Sequence, residues 1–250
     1  MGNPYLLLWL EAPLQSWGHD SKFGRRDTLN FPTKSGVLGL LCCALGSGGE
    51  QKELLAKFVL LEQTVISFVR TTTKKDGKTI KHEPEPLLRD FHMIGAGYNL
   101  NDPWEKFLEP YKSDGKARNS DGGGTKMTYR YYLQDAHFAV IMEVPEDMTE
   151  TLANALQNPV WDLYLGRKNC VPTDFIYRGI FSSQEEAVAQ IQCIIQEKKL
   201  TENFRVLNGD HSATYQGEVF TLNDVPIQFG ENKQYRDRFV TVIKNDAIDS

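Results

Sequence analysis

The side chains best suited to a chemical role lie in the sequence Tyr129-Arg130-Tyr131-Tyr132, where a guanidinium is flanked by phenol rings. Aromatic rings stack on unpaired bases and arginine pairs with phosphates, so this combination is typical of single-stranded RNA recognition. On a β-strand, Arg130 and Tyr132 would point to one side, and Tyr129 and Tyr131 to the other. Only one of these pairs can face RNA, and we expect the other to pack against the protein.

Two further segments combine a basic residue with a group that can hold an anion. Lys34 and Ser35 precede an apolar stretch, where the free N–H groups of a helix start favour phosphate. An ordinary capped helix explains these two residues equally well. Arg167 and Lys168 follow shortly after Tyr164, which predicts either a second aromatic and basic contact point or a solvated turn.

The histidines and cysteines form no recognisable catalytic or metal-binding pattern. The five histidines lack HxxxH spacing, and the glycine-containing stretches match neither a P-loop nor GxGxxG. We therefore expect no catalytic residue, no metal and no cofactor. His92 lies near basic residues and could cleave RNA by acid–base chemistry, although a structural or RNA-contact role is favoured. The four cysteines are predicted to be reduced core thiols.

The charge is distributed unevenly along the chain. The net charge of −5 argues against a general nucleic-acid binding surface, which is normally basic. Residues 74–130 carry eleven Lys and Arg against nine Asp and Glu, a local balance of +2 that leaves −7 for the remainder. A further basic cluster includes Arg25 and Arg26. This pattern suits an assembly subunit whose nucleic-acid contact is local.

The elements that must position these residues follow from hydrophobic periodicity and capping signals. Strands are predicted at residues 5–10, 64–70 and 135–144, the last of them half-buried, and helices at 50–58 and 145–157. A further helix is predicted over the apolar stretch 37–45, with Ser35 or Thr33 as its N-cap and its end at Gly46. An apolar segment at 175–181 completes an order that fits a ferredoxin-like or RRM-like α+β domain over residues 1–181. Residues 182–250 are predicted to form a helix at 184–198 and a small β-rich part.

A long polar insertion interrupts this domain at about residues 71–130. It is rich in lysine, glycine and proline, and residues 113–126 have no periodic signal. A loop of this length inside a compact domain is usually functional or disordered. No apolar run is long enough to cross a bilayer, so a cytoplasmic protein without membrane contact is expected.

Several motifs together give the chain a specific resemblance. They are Ala12-Pro13-Leu14-Gln15-Ser16-Trp17-Gly18, Phe31-Pro32-Thr33-Lys34-Ser35-Gly36, Leu88-Arg89-Asp90-Phe91-His92 and Tyr164-Leu165-Gly166-Arg167-Lys168-Asn169-Cys170. Arg130 with Tyr132-Leu133-Gln134-Asp135-Ala136 also matches. In these segments the chain resembles CRISPR-associated protein family five of the RAMP superfamily, in particular the handle subunits of type I-E Cascade. The agreement covers nearly the whole chain and weakens after Gly179.

The resemblance implies an RRM-like domain whose β-hairpin insertion, the thumb, packs on a backbone subunit and shapes the 5′ handle of the crRNA. It implies a non-catalytic subunit that joins the backbone subunits to the large subunit, with target DNA contacted only through the complex. By the matched motifs, Arg130 and Tyr164 are expected to contact handle nucleotides. Lys34, Ser35, Arg167 and Lys168 are expected near handle phosphates, and Arg89 and His92 in the RNA-binding region.

Two alternatives remain open at this point. Related type I-C handle subunits cut precursor RNA, so a metal-independent endoribonuclease is the first, although no convincing tyrosine, lysine and histidine trio is present. The second is an α+β protein that mediates protein contacts only. The thumb is longer than in the family because of residues 113–126, and no HNH-like cluster indicates a fused nuclease.

Overall fold

The computed structural model describes residues 2–19, 21, 24–94 and 126–245. Its strands are β1 Tyr5–Gln15, β2 Arg25–Arg26, β3 Gln63–Thr73, β4 Thr79–Lys81, β5 Leu88–Ile94, β6 Lys126–Glu143, β7 Tyr177–Phe181, β8 Leu200–Asn208, β9 Glu218–Gln228 and β10 Gln234–Lys244. The helices are α1 Lys34–Leu45, α2 Lys52–Ala56, α3 Thr149–Gln157 and α4 Gln184–Lys198, with a 3₁₀ turn at Glu146–Met148.

A large antiparallel sheet forms the centre of this mixed α/β fold. Its main strands follow the order β7-β1-β6-β3-β8-β10-β9. β1 lies between β6 and β7 and is antiparallel to both, and β3 joins β6 to β8. The last three strands therefore continue the same sheet, and the predicted boundary at residues 181 and 182 stays a prediction.

The predicted first strand is confirmed, and it is buried on both faces. Leu6, Leu8 and Leu10 contribute to one hydrophobic core, whereas Leu7 and Trp9 contribute to the other. Side chains alternate across a strand, so a continuous apolar run is what a central strand with two covered faces requires. Each fully buried leucine stabilises the fold by about 1.5–3 kcal/mol.

Helix α1 begins at the predicted capping segment. The side chain of Thr33 accepts a hydrogen bond from the Gly36 N–H at 3.1 Å, and Gly46 ends the helix in the left-handed conformation with φ 68°. Thr33 is thus the N-cap, and Ser35 lies inside the helix. A Cβ atom at Gly36 would lie 2.8 Å from the ring of Trp17, which explains a glycine in this first turn.

The prediction that residues 135–144 form a half-buried strand is wrong in two respects. The strand starts at Lys126, and both of its faces are buried beyond Asp135, since His137, Ala139 and Ile141 are covered as well. Helix α4, whose predicted bounds are confirmed, covers this second face. Asp135 has a φ of 45°, and the strand before it projects beyond the main sheet as a separate ribbon.

Other predictions are confirmed with shifted ends. The strand predicted at 64–70 runs over Gln63–Thr73, the helix predicted at 50–58 is shorter, and that at 145–157 opens with the 3₁₀ turn. Part of the polar insertion is ordered as β4 and β5. Residues 113–125 lie outside the described residues.

The cysteines are only partly in the core. Cys42 and Cys170 are buried as predicted, but Cys43 is half-buried and Cys193 is exposed on α4, so the core prediction is wrong for these two. None of the described helices has the length and apolar character that a membrane crossing requires.

Candidate nucleic-acid interface

A three-stranded ribbon projects from the sheet and carries most of the candidate residues. The first half of β6 pairs antiparallel with β5 on one side and parallel with β2 on the other. This register places Arg25 beside Tyr129 and Arg26 beside Arg130. It also places Arg89 opposite Tyr131. Three strands from distant parts of the sequence thus bring arginines together on the ribbon: Arg25, Arg26, Arg89 and Arg130.

One side of this ribbon, the tyrosine face, combines cations with exposed rings. The guanidinium of Arg25 lies 4.8 Å from the ring centre of Tyr131, and that of Arg89 lies 5.7 Å from the ring centre of Tyr129. Phe91 packs on Tyr129 with ring centres 5.2 Å apart. Arg25 is also paired with Asp27, whose carboxylate accepts from the Arg25 Nε at 2.7 Å, so part of the charge of this face is neutralised within the protein. A guanidinium beside aromatic rings can pair a phosphate where a base stacks.

The opposite side of the ribbon carries Arg130 and is partly covered. Tyr132 on this side is 1% exposed, so it is the ring that packs against the protein. Arg130 is half-buried and lies opposite Asp90. The imidazole of His92 is hydrogen-bonded to the Asp90 carboxylate. On the tyrosine face Tyr129 is exposed and Tyr131 is half-buried, whereas Arg130 shares the other side with the buried Tyr132.

Arg167 fastens the neighbouring loop to the ribbon. Its guanidinium donates to the carbonyl oxygens of Tyr131 at 3.3 Å and Arg26 at 3.0 Å. It also lies 4.6 Å from the ring centre of Tyr132. These contacts use Arg167 to hold two strands together, a role that the sequence does not predict. Lys168 next to it is exposed.

The loop that carries Arg167 is packed closely on the end of β1. Ser16 N–H donates to the Leu165 carbonyl at 3.1 Å, and the Ser16 hydroxyl donates to the Tyr131 carbonyl at 3.3 Å. Tyr164 is half-buried at the start of this loop. The structure thus brings the loop at Arg167 and Lys168 to the ribbon of Arg89, His92 and Arg130.

The prediction that Lys34 lies near phosphates does not fit its position. Its side chain is 1% exposed, and the ammonium donates to the carbonyls of Val59 at 3.3 Å and Leu61 at 2.6 Å. The anion at the start of α1 is the carboxylate of Asp224, which accepts from the Lys34 backbone N–H at 2.8 Å. The sequence left open whether this helix start binds a phosphate or is ordinarily capped, and in the structure a carboxylate of the protein itself accepts from it.

Burial of Lys34 gives a pH-dependent contribution to stability. Desolvation lowers the pKa of its ammonium to about 8 from an ordinary 10.5. Between these two pH values the unfolded chain binds more protons than the native one, so the free energy of unfolding contributed by this group rises with pH. We expect Lys34→Met to flatten this rise, measured by urea unfolding at several pH values from 8 to 10.5. A pH dependence identical to that of the wild type would contradict the burial argument.

Ser35 lies at the rim of a separate depression beside the C-terminal hairpin, together with Lys233 and Tyr235. The prediction that it contacts phosphate stays untested.

Arg25 and Arg26 were visible in the sequence as part of a basic cluster but were not assigned to the site. A two-residue strand gives no periodic signal, so their position on β6 was not predictable. Within the described residues, no group of three or more His, Cys, Asp or Glu side chains is placed to hold a metal ion.

Comparisons with known proteins agree with the motif resemblance. The family model described as CRISPR-associated protein (Cas_Cas5) matches residues 5–243. The CRISPR system Cascade subunit CasD of Escherichia coli (strain K12) is 29% identical over 245 residues, covering 92% of this chain and 94% of that protein.

Solved structures give the same result. A chain of a CRISPR RNA-guided surveillance complex superimposes with a TM-score of 0.67 at 27% identity, covering 96% of this chain and 90% of that one. A structure described as a Cas protein gives a TM-score of 0.56 at 26% identity, covering 96% and 94%. The predicted resemblance is confirmed, and the chain belongs to the Cas_Cas5 family of CRISPR-associated proteins.

Proposed function

We propose that this chain is a non-catalytic RNA-binding subunit of a type I-E CRISPR Cascade surveillance complex. In this role it caps the 5′ handle of the crRNA and joins the backbone subunits to the large subunit, in the cytoplasm and without membrane contact. Target DNA is contacted only through the assembled complex. The observation that carries the proposal is the ribbon, where Arg25 and Arg89 lie over the rings of Tyr131 and Tyr129.

The physical argument rests on local charge. The chain is acidic overall, with a net charge of −5, so general attraction to RNA is weak. The ribbon and the adjoining loop concentrate six basic side chains: Arg25, Arg26, Arg89, Arg130, Arg167 and Lys168. Single-stranded RNA needs both phosphate pairing and base stacking, and the tyrosine face offers both within one surface.

The proposal includes a more specific fold, the ferredoxin-like arrangement. Four strands in the order β7-β1-β6-β3, with α1 and α3 as connections, are consistent with the ferredoxin-like arrangement. The ribbon of β5 and β6 corresponds to the start of the thumb, and its exposed side chains Phe91, Met93 and Met127 offer a surface to a neighbouring subunit.

The alternative of a metal-independent endoribonuclease has one specific observation in its favour. His92 and Asp90 form a hydrogen-bonded pair on the ribbon, with Arg130 across from the carboxylate. An imidazole held by a carboxylate can move a proton, and a guanidinium can stabilise the charge of a phosphorane. Such a site would cut RNA that the ribbon holds.

One experiment, carried out without metal ions, distinguishes the capping role from the endoribonuclease. The purified chain is incubated with end-labelled repeat RNA, and both retention of the 5′ handle and cleavage are measured. Retention without cleavage supports the capping role. A specific cut that is lost in His92→Ala makes the protein an enzyme.

Arg130→Ala is expected to weaken handle retention by about 1–3 kcal/mol, the range for a charged or stacking contact. Arg89→Ala probes the tyrosine face in the same assay, and Arg236→Ala on the C-terminal hairpin is the control for loss of one exposed arginine. Unchanged affinity in Arg130→Ala together with a loss in Arg89→Ala would restrict the RNA to the tyrosine face and exclude the side that carries Arg130. Unchanged affinity in both would contradict the ribbon as the binding surface.

A further inference from the structure

Strand β6 bends where it leaves the main sheet, and the bend lies at Asp135. This residue has a φ of 45°, in the left-handed region that aspartate and asparagine tolerate better than most other residues. On one side of it β6 belongs to the main sheet, and on the other side it belongs to the ribbon. The angle between the ribbon and the sheet is therefore determined at this position.

On the side of β3, the main chain at the bend has no strand partner in the described part of the chain. The pairing of β6 with β3 ends at His137, which lies opposite Phe68, and its pairing with β5 begins at Tyr132. Residues 133–136 pair with neither strand. A depression of about 390 Å³ lies in this gap, and its lining includes Arg70 and Asp135. Contacts across the gap are therefore made by side chains.

The other edge of the bend is held by β1. The two strands pair as far as Leu133, and the Gln15 amide donates to the Ala136 carbonyl at 2.7 Å. Pro13, which lies nearest to Asp135 in this register, lacks an N–H to donate. Support from β1 along one edge leaves rotation of the ribbon about that edge to be restrained from the side of β3.

A bidentate ion pair joins the two sides of the gap. The Arg70 guanidinium donates to both carboxylate oxygens of Asp135, from Nε at 3.0 Å and from Nη2 at 3.1 Å. Arg70 is fixed on the main sheet, because it pairs with Leu200 of β8 and its carbonyl accepts from the His82 N–H at 3.0 Å. The planar guanidinium holds a carboxylate in one orientation. The pair therefore ties the bend to the main sheet at a defined angle.

We propose that Arg70 and Asp135 are positioning residues for RNA, because their ion pair fixes the angle at which the ribbon leaves the sheet. Neither side chain needs to touch the RNA. They hold the ribbon in the orientation in which its arginines and the loop residues Tyr164 and Lys168 form one surface. The inference rests on the proposed function for the identity of the ligand, the 5′ handle of the crRNA.

The exposure of this ion pair determines how it acts. The side chains of Arg70 and Asp135 are 62% and 49% exposed, and exposed ion pairs contribute little to global stability. The equilibrium between two orientations of a ribbon is sensitive to small free energies. Loss of the pair should therefore change the orientation of the ribbon more than the stability of the chain. Concentrated salt screens exposed charges and should have the same effect.

Distances between the ribbon and the sheet, measured by pulsed electron paramagnetic resonance without RNA, test the inference. One spin label is attached to the native Cys193 on α4 and the other to Met93→Cys on β5, because both positions are exposed, and Cys43→Ser removes a half-buried thiol. We expect one narrow distance distribution for this labelled chain. Asp135→Asn, which keeps a residue suited to the left-handed backbone, and Arg70→Gln should each broaden or shift it.

The matched control removes an exposed ion pair elsewhere. Lys57, just after α2, lies 2.6 Å from the carboxylate of Asp147, and Lys57→Gln should leave the distance distribution unchanged. Raising the salt concentration from about 0.1 M to about 1 M should broaden the distribution of the chain with the intact pair and leave that of Asp135→Asn unchanged. Identical distributions in Asp135→Asn, Arg70→Gln and Lys57→Gln would overturn the inference.

Retention of the 5′ handle is measured on the same variants without labels. Asp135→Asn and Arg70→Gln are each expected to weaken it by about two- to fivefold, the range that the loss of an exposed ion pair allows. Their melting temperatures should fall by at most about 4 °C. The double variant should lose no more affinity than either single variant, because the two side chains act as a unit.

Two results would contradict the positioning role: additive losses of affinity in the double variant, and altered distances with unchanged handle affinity. Failure of the chain with the intact pair to retain the handle overturns the proposed function instead. In that case the distances still decide whether the pair of Arg70 and Asp135 fixes the ribbon.

Discussion

Replacement of Asp224 by alanine is expected to lower the free energy of unfolding by about 3–5 kcal/mol, the range for breaking a buried ion pair by removing one partner. The carboxylate accepts from Nε and Nη2 of Arg238 at 2.7 and 2.9 Å, and the two side chains are only 3% and 9% exposed. It also accepts the Lys34 N–H at the start of α1. Its loss leaves a buried guanidinium unpaired and a helix start without its anion, and urea unfolding measures the effect.

A nearby carboxylate provides the control for this experiment. Asp237 accepts a hydrogen bond from the Asn223 amide at 2.6 Å but is exposed. Asp237→Ala is expected to change stability by less than about 1 kcal/mol, as for surface contacts. Equal losses in the two variants would show that the Asp224 pair is not the element that holds the C-terminal strands to α1. Arg238→Met in the Asp224→Ala background should restore part of the loss, since it removes the unpaired charge.

The contacts of Asp224 also show which part of the site could not be predicted from the sequence. The segment at Thr33 and Lys34 has the local signals of a helix start that binds an anion, and that much was predictable. The anion comes from a residue 190 positions later, and nothing near Lys34 in the sequence indicates it. The carboxylate of Asp224 already occupies the helix start. The Lys34 ammonium donates to the carbonyl oxygens of Val59 and Leu61 and not to a phosphate.

Elements with a strong hydrophobic pattern were predictable. Strand β1 is a continuous apolar run and helix α4 buries apolar residues at helical spacing, so both patterns identify their elements without knowledge of their neighbours. The family was likewise recognisable, because its motifs are spread over most of the chain.

The ribbon was not predictable as a structure, although its residues were noticed. The first half of β6 has polar and aromatic residues on both sides, since neither side is covered by a core over its full length. Alternation is therefore absent where strand formation depends on pairing with β5 and β2. For the same reason, which side of Tyr129-Arg130-Tyr131-Tyr132 is exposed could be determined only from the fold.

The loop that supports the ribbon depends on a glycine, and its substitution should affect both stability and RNA binding. Gly166 has a φ of 96°, and a Cβ atom there would lie 1.7 Å from the backbone oxygen of Ser16. Gly166→Ala therefore adds backbone strain and a collision with main-chain atoms that cannot move freely, at a cost on the order of 2–5 kcal/mol. Thermal and urea unfolding measure this loss.

The functional consequence follows from the next residue. Displacement of the loop withdraws Arg167 from the carbonyls of Arg26 and Tyr131, which fix β2 against β6. Handle retention should therefore fall in Gly166→Ala even at temperatures where the protein remains folded. Gly49→Ala is the matched control, because Gly49 has a similar φ of 83° but no atom within 4 Å of a Cβ. Equal losses of stability and equal handle affinities in Gly166→Ala and Gly49→Ala would contradict this argument. The close approach of Gly166 to Ser16 would then not position the ribbon for RNA binding.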